Sequence, residues 1–377
     1  MKRQKKSEPT LPTIGKEIKE SENGAGNSNA VSPARPKAGS RLPKKQVDDY
    51  EQSNPVQMEL FQSLMPDDKQ FSNTIEFYDF CPKYIYWRTE RLQDKFLDRL
   101  ERNFECRGMK YTIAIDPAKI KDSDGVVRDY FPGVVEELVE DALRKLAVDG
   151  HGLFLDDQAA VTFSLYELQQ ELAKTGHTYS LDQIKKALMV CVGTTIHLTT
   201  ESGETVFSDH LFETVGLNTR EDWKGQGKKT KAFVRFNSLV TKSIKEGTWR
   251  QFNYEVSMRF KSVVSRQLNK RLSHNFTYAN MAQDFNISLS TMLRDFGLTP
   301  YEYMRDNLRH VTKALDEMVE KRVIRKYEVK NVYDTGRKNK LVDAVIVIKP
   351  DLDFVNLAIR ANVKQGRVKE LTGKVKK

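Results

Sequence analysis

Residues 299–348 restrict the possible folds of this chain more than any other stretch, because a helix with a cationic stripe leads into a β-hairpin whose turn is also cationic. Thr299-Pro300-Tyr301-Glu302 has the form of a capping box with proline at the first helical position, which predicts a helix starting there. Met304, Leu308, Val311, Leu315 and Met318 recur at spacings of four and three and share one face, which is predicted to pack inward. Arg305, Arg309 and Lys313 lie four apart on a neighbouring stripe. Their mutual repulsion calls for an anion, which the phosphates of duplex DNA supply. Beyond the helix, residues 323–333 and 341–348 are β-rich runs joined by Asp334-Thr335-Gly336-Arg337-Lys338-Asn339-Lys340. Gly336 and Asn339 suit a hairpin turn, and Arg337, Lys338 and Lys340 put charge at its tip. A helix followed by such a hairpin is a winged helix. It seats the helix in a groove of DNA and the hairpin against the backbone.

The rest of the chain is consistent with a polyanionic partner. Its 377 residues suffice for two or three domains, and 62 Lys and Arg against 52 Asp and Glu leave a formal charge of +10. No apolar run reaches the roughly 18 to 20 residues that span a bilayer, and no secretory leader is recognisable, so the expected location is cytoplasmic, away from any membrane. Cys81, Cys106 and Cys191 are far apart and unaccompanied by paired histidines, which predicts reduced structural thiols and no zinc site. Residues 1–54 are poor in large apolar side chains and rich in Lys, Ser, Gly and Pro, the composition of a disordered basic arm.

The winged-helix pattern occurs a second time. Val161-Thr162-Phe163 reads as a strand entering Ser164-Leu165-Tyr166-Glu167, a capping box that opens a helix running to about Lys174, with Gly176 as its breaker. Ser180-Leu181-Asp182-Gln183 opens the next helix. There Leu181, Ile184, Leu188 and Cys191 form the buried stripe, while Gln183, Lys185 and Lys186 point outward as candidate DNA contacts. Residues 194–200 and 205–207 form a second wing. Its tip carries Glu201 and Glu204, which phosphate repels, so the second unit is expected to supply more of the DNA contact. Between the units, the basic 224–231 loop fails the Walker A pattern because Lys229 stands where Ser or Thr is needed and Asp222 where the first Gly is needed. Residues 254–272 read as one long helix whose Arg259, Lys261, Arg266, Lys270 and Arg271 are largely solvated. Residues 281–296 supply the shorter helix before the recognition helix, with Asn286-Ile287-Ser288 as a turn.

Two tandem winged helices, a Gly-Lys-Lys-Thr loop between them and a basic helix opening the second together resemble the iteron-binding replication initiators of bacterial plasmids, the RepA and TrfA type. The resemblance covers roughly residues 55–350. It is carried by Phe163-Ser164-Leu165-Tyr166-Glu167-Leu168 with the helix over 179–192, by Gly227-Lys228-Lys229-Thr230-Lys231, and by the helix and strand over 299–327. Gln57-Met58-Glu59-Leu60-Phe61 is similar to the pentapeptide that docks such proteins on the sliding clamp, with Leu60 and Phe61 as apolar anchors and Gln57 fixing register. The resemblance implies binding to repeated origin sites, opening of adjacent A·T-rich DNA and recruitment of host DnaA, helicase and clamp. It also implies a homodimer in equilibrium with an initiating monomer.

The expected fold class is therefore α+β, with two tandem winged-helix domains behind a disordered arm. The divisions are the arm at 1–54, a linker with the clamp-like peptide at 55–82, domains at 83–250 and 251–352, and a basic tail at 353–377. The alternative is a winged-helix transcription regulator with no replication role. A rolling-circle nicking enzyme needs two histidines flanking one hydrophobic residue, and His151, His177, His197, His210, His274 and His310 provide no such pair. No catalytic residue, cofactor or metal is expected.

Overall fold

Two reciprocal caps begin the helices of the first unit. Ser164 Oγ accepts from Glu167 N at 3.1 Å and the Glu167 carboxylate accepts from Ser164 N at 2.7 Å, starting α3 (Leu165–Lys174). Ser180 and Gln183 repeat the exchange at 3.2 and 2.9 Å to start α4 (Leu181–Gly193). Gly176, at φ +93°, makes the left-handed break between the two helices. The computed structural model describes residues 69–86, 97–217, 232–336 and 340–375, with side chains through residue 370. The arm, the peptide of Gln57, Leu60 and Phe61, the 224–231 loop, and Arg337 and Lys338 lie outside the described residues.

After α4 the chain forms the hairpin β8 (Thr195–Thr200) and β9 (Thr205–His210). This wing continues into a four-stranded sheet of order β2-β3-β8-β9, with β2 (Leu100–Cys106) and β3 (Met109–Asp116). A hairpin of β4 (Ala118–Lys121) and β5 (Val127–Tyr130) packs on α4. A second sheet contains β6 (Gly152–Leu155), β7 (Gln158–Phe163), β10 (Phe212–Gly216) and β11 (Ala232–Phe236); β7 feeds α3 as the sequence predicts, and β11 leads into α5 (Ser238–Glu246). Residues of both sheets, among them Ile113, Ile196, Val161 and Val234, share one core with α2 (Val134–Leu146), whose Leu138, Val139 and Leu143 lie there with Leu168, Leu172, Ile184, Leu188 and Cys191. Leu181 is the exception to the predicted stripe, because as the first helical residue it lies beyond the packed turn and is exposed.

The second unit consists of α7 (Val263–Asn275), α8 (Leu289–Asp295) and α9 (Met304–Glu320) beside a sheet of order β13-β15-β14. Its strands are β13 (Phe285–Ser288), β14 (Ile324–Tyr333) and β15 (Leu341–Pro350), and Ile346 of β15 is paired with Ile287 on one side and Val329 on the other. Val311, Leu315 and Met318 are buried there with Leu268, Leu272 and Ile348, while Met304 and Leu308 border the same core.

Several local expectations are corrected. The proposed helix over 254–272 is two helices, α6 (Tyr254–Met258) and α7, because buried Phe260 occupies the break. Asn286-Ile287-Ser288 is strand β13, not a turn, and Ser288 Oγ caps α8 by accepting from Thr291 N at 3.1 Å. The box at Thr299–Glu302 does not open a helix, since α9 begins at Met304 with no side-chain cap from Tyr303. Buried Asn307 holds the approach instead, with Oδ1 accepting from Tyr301 N at 2.8 Å and Nδ2 donating to Tyr301 O at 2.9 Å. Within the supposed linker, β1 (Phe71–Ile75) pairs with β12 (Trp249–Asn253) and leads into α1 (Glu76–Phe80). Where a basic tail was expected, Leu352–Val375 is a helix, α10, with Phe354, Val355 and Ala358 in the second core and Val368 in the first.

Three of the cations of α7 do not face solvent. Arg266, Lys270 and Arg271 are buried, not solvated. Arg266 meets Glu137 at 2.9 Å and Lys270 meets Asp141 at 2.7 Å, both carboxylates lying on α2 of the first unit, and Arg271 meets Asp295 at 2.6 Å. Burial pushes the Glu137 carboxyl up, but Arg266 and Lys270 beside it outweigh that and leave it below the ordinary glutamate value. Asp295 also accepts from Glu105 N of β2 at 3.1 Å. The winged-helix units are thus joined by matched buried charges.

Candidate nucleic-acid interface

In the second unit, α8, the turn after it and α9 form a helix-turn-helix, and β14 and β15 form its wing. Asp343, near the turn end of β15, ties the wing to α8, its carboxylate accepting from Ser290 N at 3.0 Å and Ser290 Oγ at 2.6 Å. Since α9 buries Val311, Ala314, Leu315 and Met318, its opposite face must point away from the protein. Arg305, Arg309 and Lys313 stand exposed on that side, as their spacing predicts. Arg309 is 71% exposed and its guanidinium is held by Asp306 at 2.9 Å. Lys340 is exposed at the end of the turn.

The structure adds residues that the sequence reading left out. Tyr301 and Tyr303 are exposed just ahead of α9, and Arg325 and Lys330 are exposed along β14. A cleft of about 890 Å³ runs beside α9 and brings Arg259 and Lys261, at the break between α6 and α7, to the same wall as His310 and Lys313. Burial lowers the His310 imidazole below its ordinary value, and Lys313 lowers it further. A spacing argument confined to α9 cannot find these groups, because folding across two breaks brings them together.

The first unit presents a different face. Gln183 is exposed, but its side-chain oxygen is used in the cap of α4. Lys185 is exposed and pairs with Asp182 at 3.4 Å. Lys186, expected to point outward, is half-buried between Asp122 at 2.7 Å and the Tyr130 ring at 3.9 Å. Burial opposes the charge of Lys186, yet its bonds to Asp122 and Tyr130 raise its pKa above the ordinary lysine value. That cation therefore clamps the β4–β5 hairpin to α4. The outward surface of α3 and α4 carries Tyr166, Leu181 and Met189, all exposed. At the wing tip, Glu201 is met by Lys110 at 3.2 Å, which softens the acidic character expected there.

The three cysteines are free and buried, and burial lifts the Cys106 thiol to about 11, where it remains protonated and unreactive. Among the described residues no helix is long and apolar enough to cross a membrane.

No family model and no curated protein matches the chain. Among solved structures, the chain is similar to domains 2 and 3 of RctB in a selenomethionine form, at 13% identity and a TM-score of 0.44, covering 74% of this chain and 97% of that one. A second structure of those domains gives 13% identity and 0.43 over 73% of this chain and 98% of that one. The Pi initiator protein in complex with iteron DNA is similar at 14% identity and 0.40, over 58% of this chain and 91% of the other.

Proposed function

We propose that this chain is a sequence-specific duplex-DNA-binding initiator of replication that reads repeated origin sites with two winged helices. The observation carrying the proposal is that α9 buries one face and turns Arg305, Arg309 and Lys313 outward, beside a wing that Asp343 ties to the preceding helix α8. Such a helix fits the major groove, where arginine reads guanine in a bidentate contact and lysine neutralises phosphate, while the wing lies on the backbone. The near-neutral face of α4 makes the first unit the weaker electrostatic partner, positioned by the buried pairs that join it to α7. Opening of adjacent DNA, recruitment of clamp, helicase and DnaA, a monomer–dimer equilibrium and a cytoplasmic setting without catalysis complete the reading. They rest on the sequence resemblance and on the peptide of Gln57, Leu60 and Phe61.

Footprinting on the DNA immediately upstream of the chain's own gene tests the proposal. Spaced, phased protection over direct repeats is the expected result. A single protected palindrome over a promoter would make the chain a regulator. For the clamp role, alanine at Leu60 and Phe61 is expected to abolish replication from the origin while leaving DNA affinity intact. Undiminished replication would remove that role.

A further inference from the structure

Helix α10 packs on the protein along one side and is uncovered along the other. Phe354, Val355, Leu357, Ala358, Ala361 and Val368 are buried. On the outer side, Leu352, Asn356, Ile359, Val363, Gly366 and Glu370 alternate at spacings of four and three, the periodicity with which one helix accepts another. Leu352, Ile359 and Val363 are 52%, 53% and 54% exposed, an unusual concentration of large apolar groups on one line. Asn362 Nδ2 donates to Thr277 O at 2.9 Å, drawing the 277–284 loop to the helix, and Tyr278 in that loop is 81% exposed. A side chain built at Gly366 would meet nothing within 4 Å, so the seam is open at that position.

The charges beside the seam indicate what covers it. Arg360 and Arg367 are exposed on one flank, and among the described residues neither makes an ion pair. Asp353, an acid near the start of the helix, is taken up by Arg322 at 3.3 Å. We propose that this seam docks an acidic amphipathic helix of a partner protein, with apolar residues against Ile359 and Val363 and carboxylates against Arg360 and Arg367. A second copy fits poorly, because an antiparallel pairing centred beside Val363 sets Arg360 against Arg367 of that copy, like against like. Duplex phosphate would meet the arginines but leave the apolar line without a partner.

The test titrates the full chain with a fluorescent synthetic helix of about 21 residues, three heptads, with leucine along its seam and glutamate on its flanks, against a lysine-flanked counterpart. Binding of the glutamate peptide alone is expected. It should weaken at least about tenfold in the Ile359→Asp, Val363→Asp double variant, and the preference should invert in Arg360→Glu, Arg367→Glu. Thermal unfolding of both variants should match the parent, since all four side chains are exposed. The proposal falls if the two peptides bind alike or not at all, or if the apolar variants melt lower. It also falls if they change the sedimentation of the chain alone, which would mean a second copy or another segment covers the seam. Loss of DNA affinity in the arginine variant would assign the face to DNA and equally overturn it.

Discussion

Arg309 shows how much one exposed side chain can contribute when it is held in place. Its guanidinium is fixed by Asp306 at 2.9 Å, so less rotamer freedom is lost when it meets a base edge. Arg309→Glu is expected to cost the chain about 1–3 kcal/mol of affinity for its cognate site and to relax preference at one base position, measured by fluorescence anisotropy over a panel of sites. Lys340→Ala should weaken binding to all sequences alike and lower the slope of log affinity against log salt by about one. An unchanged slope would place Lys340 off the backbone. His274 is buried with its ring edge-on to Phe80, and burial lowers its pKa to about 4. The folded state resists the proton, so His274 contributes its full stability above the ordinary histidine value near 6.5. That contribution is lost as pH falls from there toward 4, on the order of 3 kcal/mol in all. Denaturant titrations across that window should show the decline, and His274→Phe should flatten it.

At the scale of elements, legibility in the sequence followed distance along the chain. The caps of α3 and α4 were readable because Ser164 and Glu167, and Ser180 and Gln183, are three residues apart and satisfy each other. The N-terminus of α7 was not readable, because its cap is the Glu317 carboxylate of α9, accepting from Lys261 N at 2.6 Å and Ser262 N at 3.1 Å from more than fifty residues away. The same carboxylate accepts from Ser265 Oγ at 2.8 Å. Glu317→Ala is therefore expected to destabilise the second unit by about 1–3 kcal/mol, since it orphans N–H groups at a helix start where an anion is favoured. Equilibrium unfolding measures it, and a loss below a few tenths of a kcal/mol would make the cap incidental. Lys186 departs from its spacing for a similar reason. Its spacing on α4 pointed it outward, but Asp122 on the loop of another hairpin holds it back. The apolar stripe of α9 and the pairing of β14 with β15 were legible, because periodicity records burial whichever partner does the burying.

At the scale of the whole molecule, the two winged helices are one assembly because α2 and α7 exchange buried ion pairs. Removing one partner strands the other charge, so Arg266→Met should cost about 3–5 kcal/mol, whereas pairing it with Glu137→Leu should recover much of that loss. A double-mutant cycle in urea measures the coupling, and additive losses would show that the pair does not join the units. The sequence could not reveal this, since Glu137 and Arg266 are 129 residues apart and charged residues are ordinarily solvated.

Helix α10 crosses from the second core back to the first. Gln365 Nε2 donates to Gly247 O at 2.7 Å, Arg250 Nη2 donates to Asn362 Oδ1 at 2.6 Å, and Val368 reaches the apolar cluster of the first unit. During synthesis, the earlier half therefore lacks these contacts until residue 368 has been made. A nascent chain stalled before that point would emerge with its opening half still accessible to chaperones and proteases.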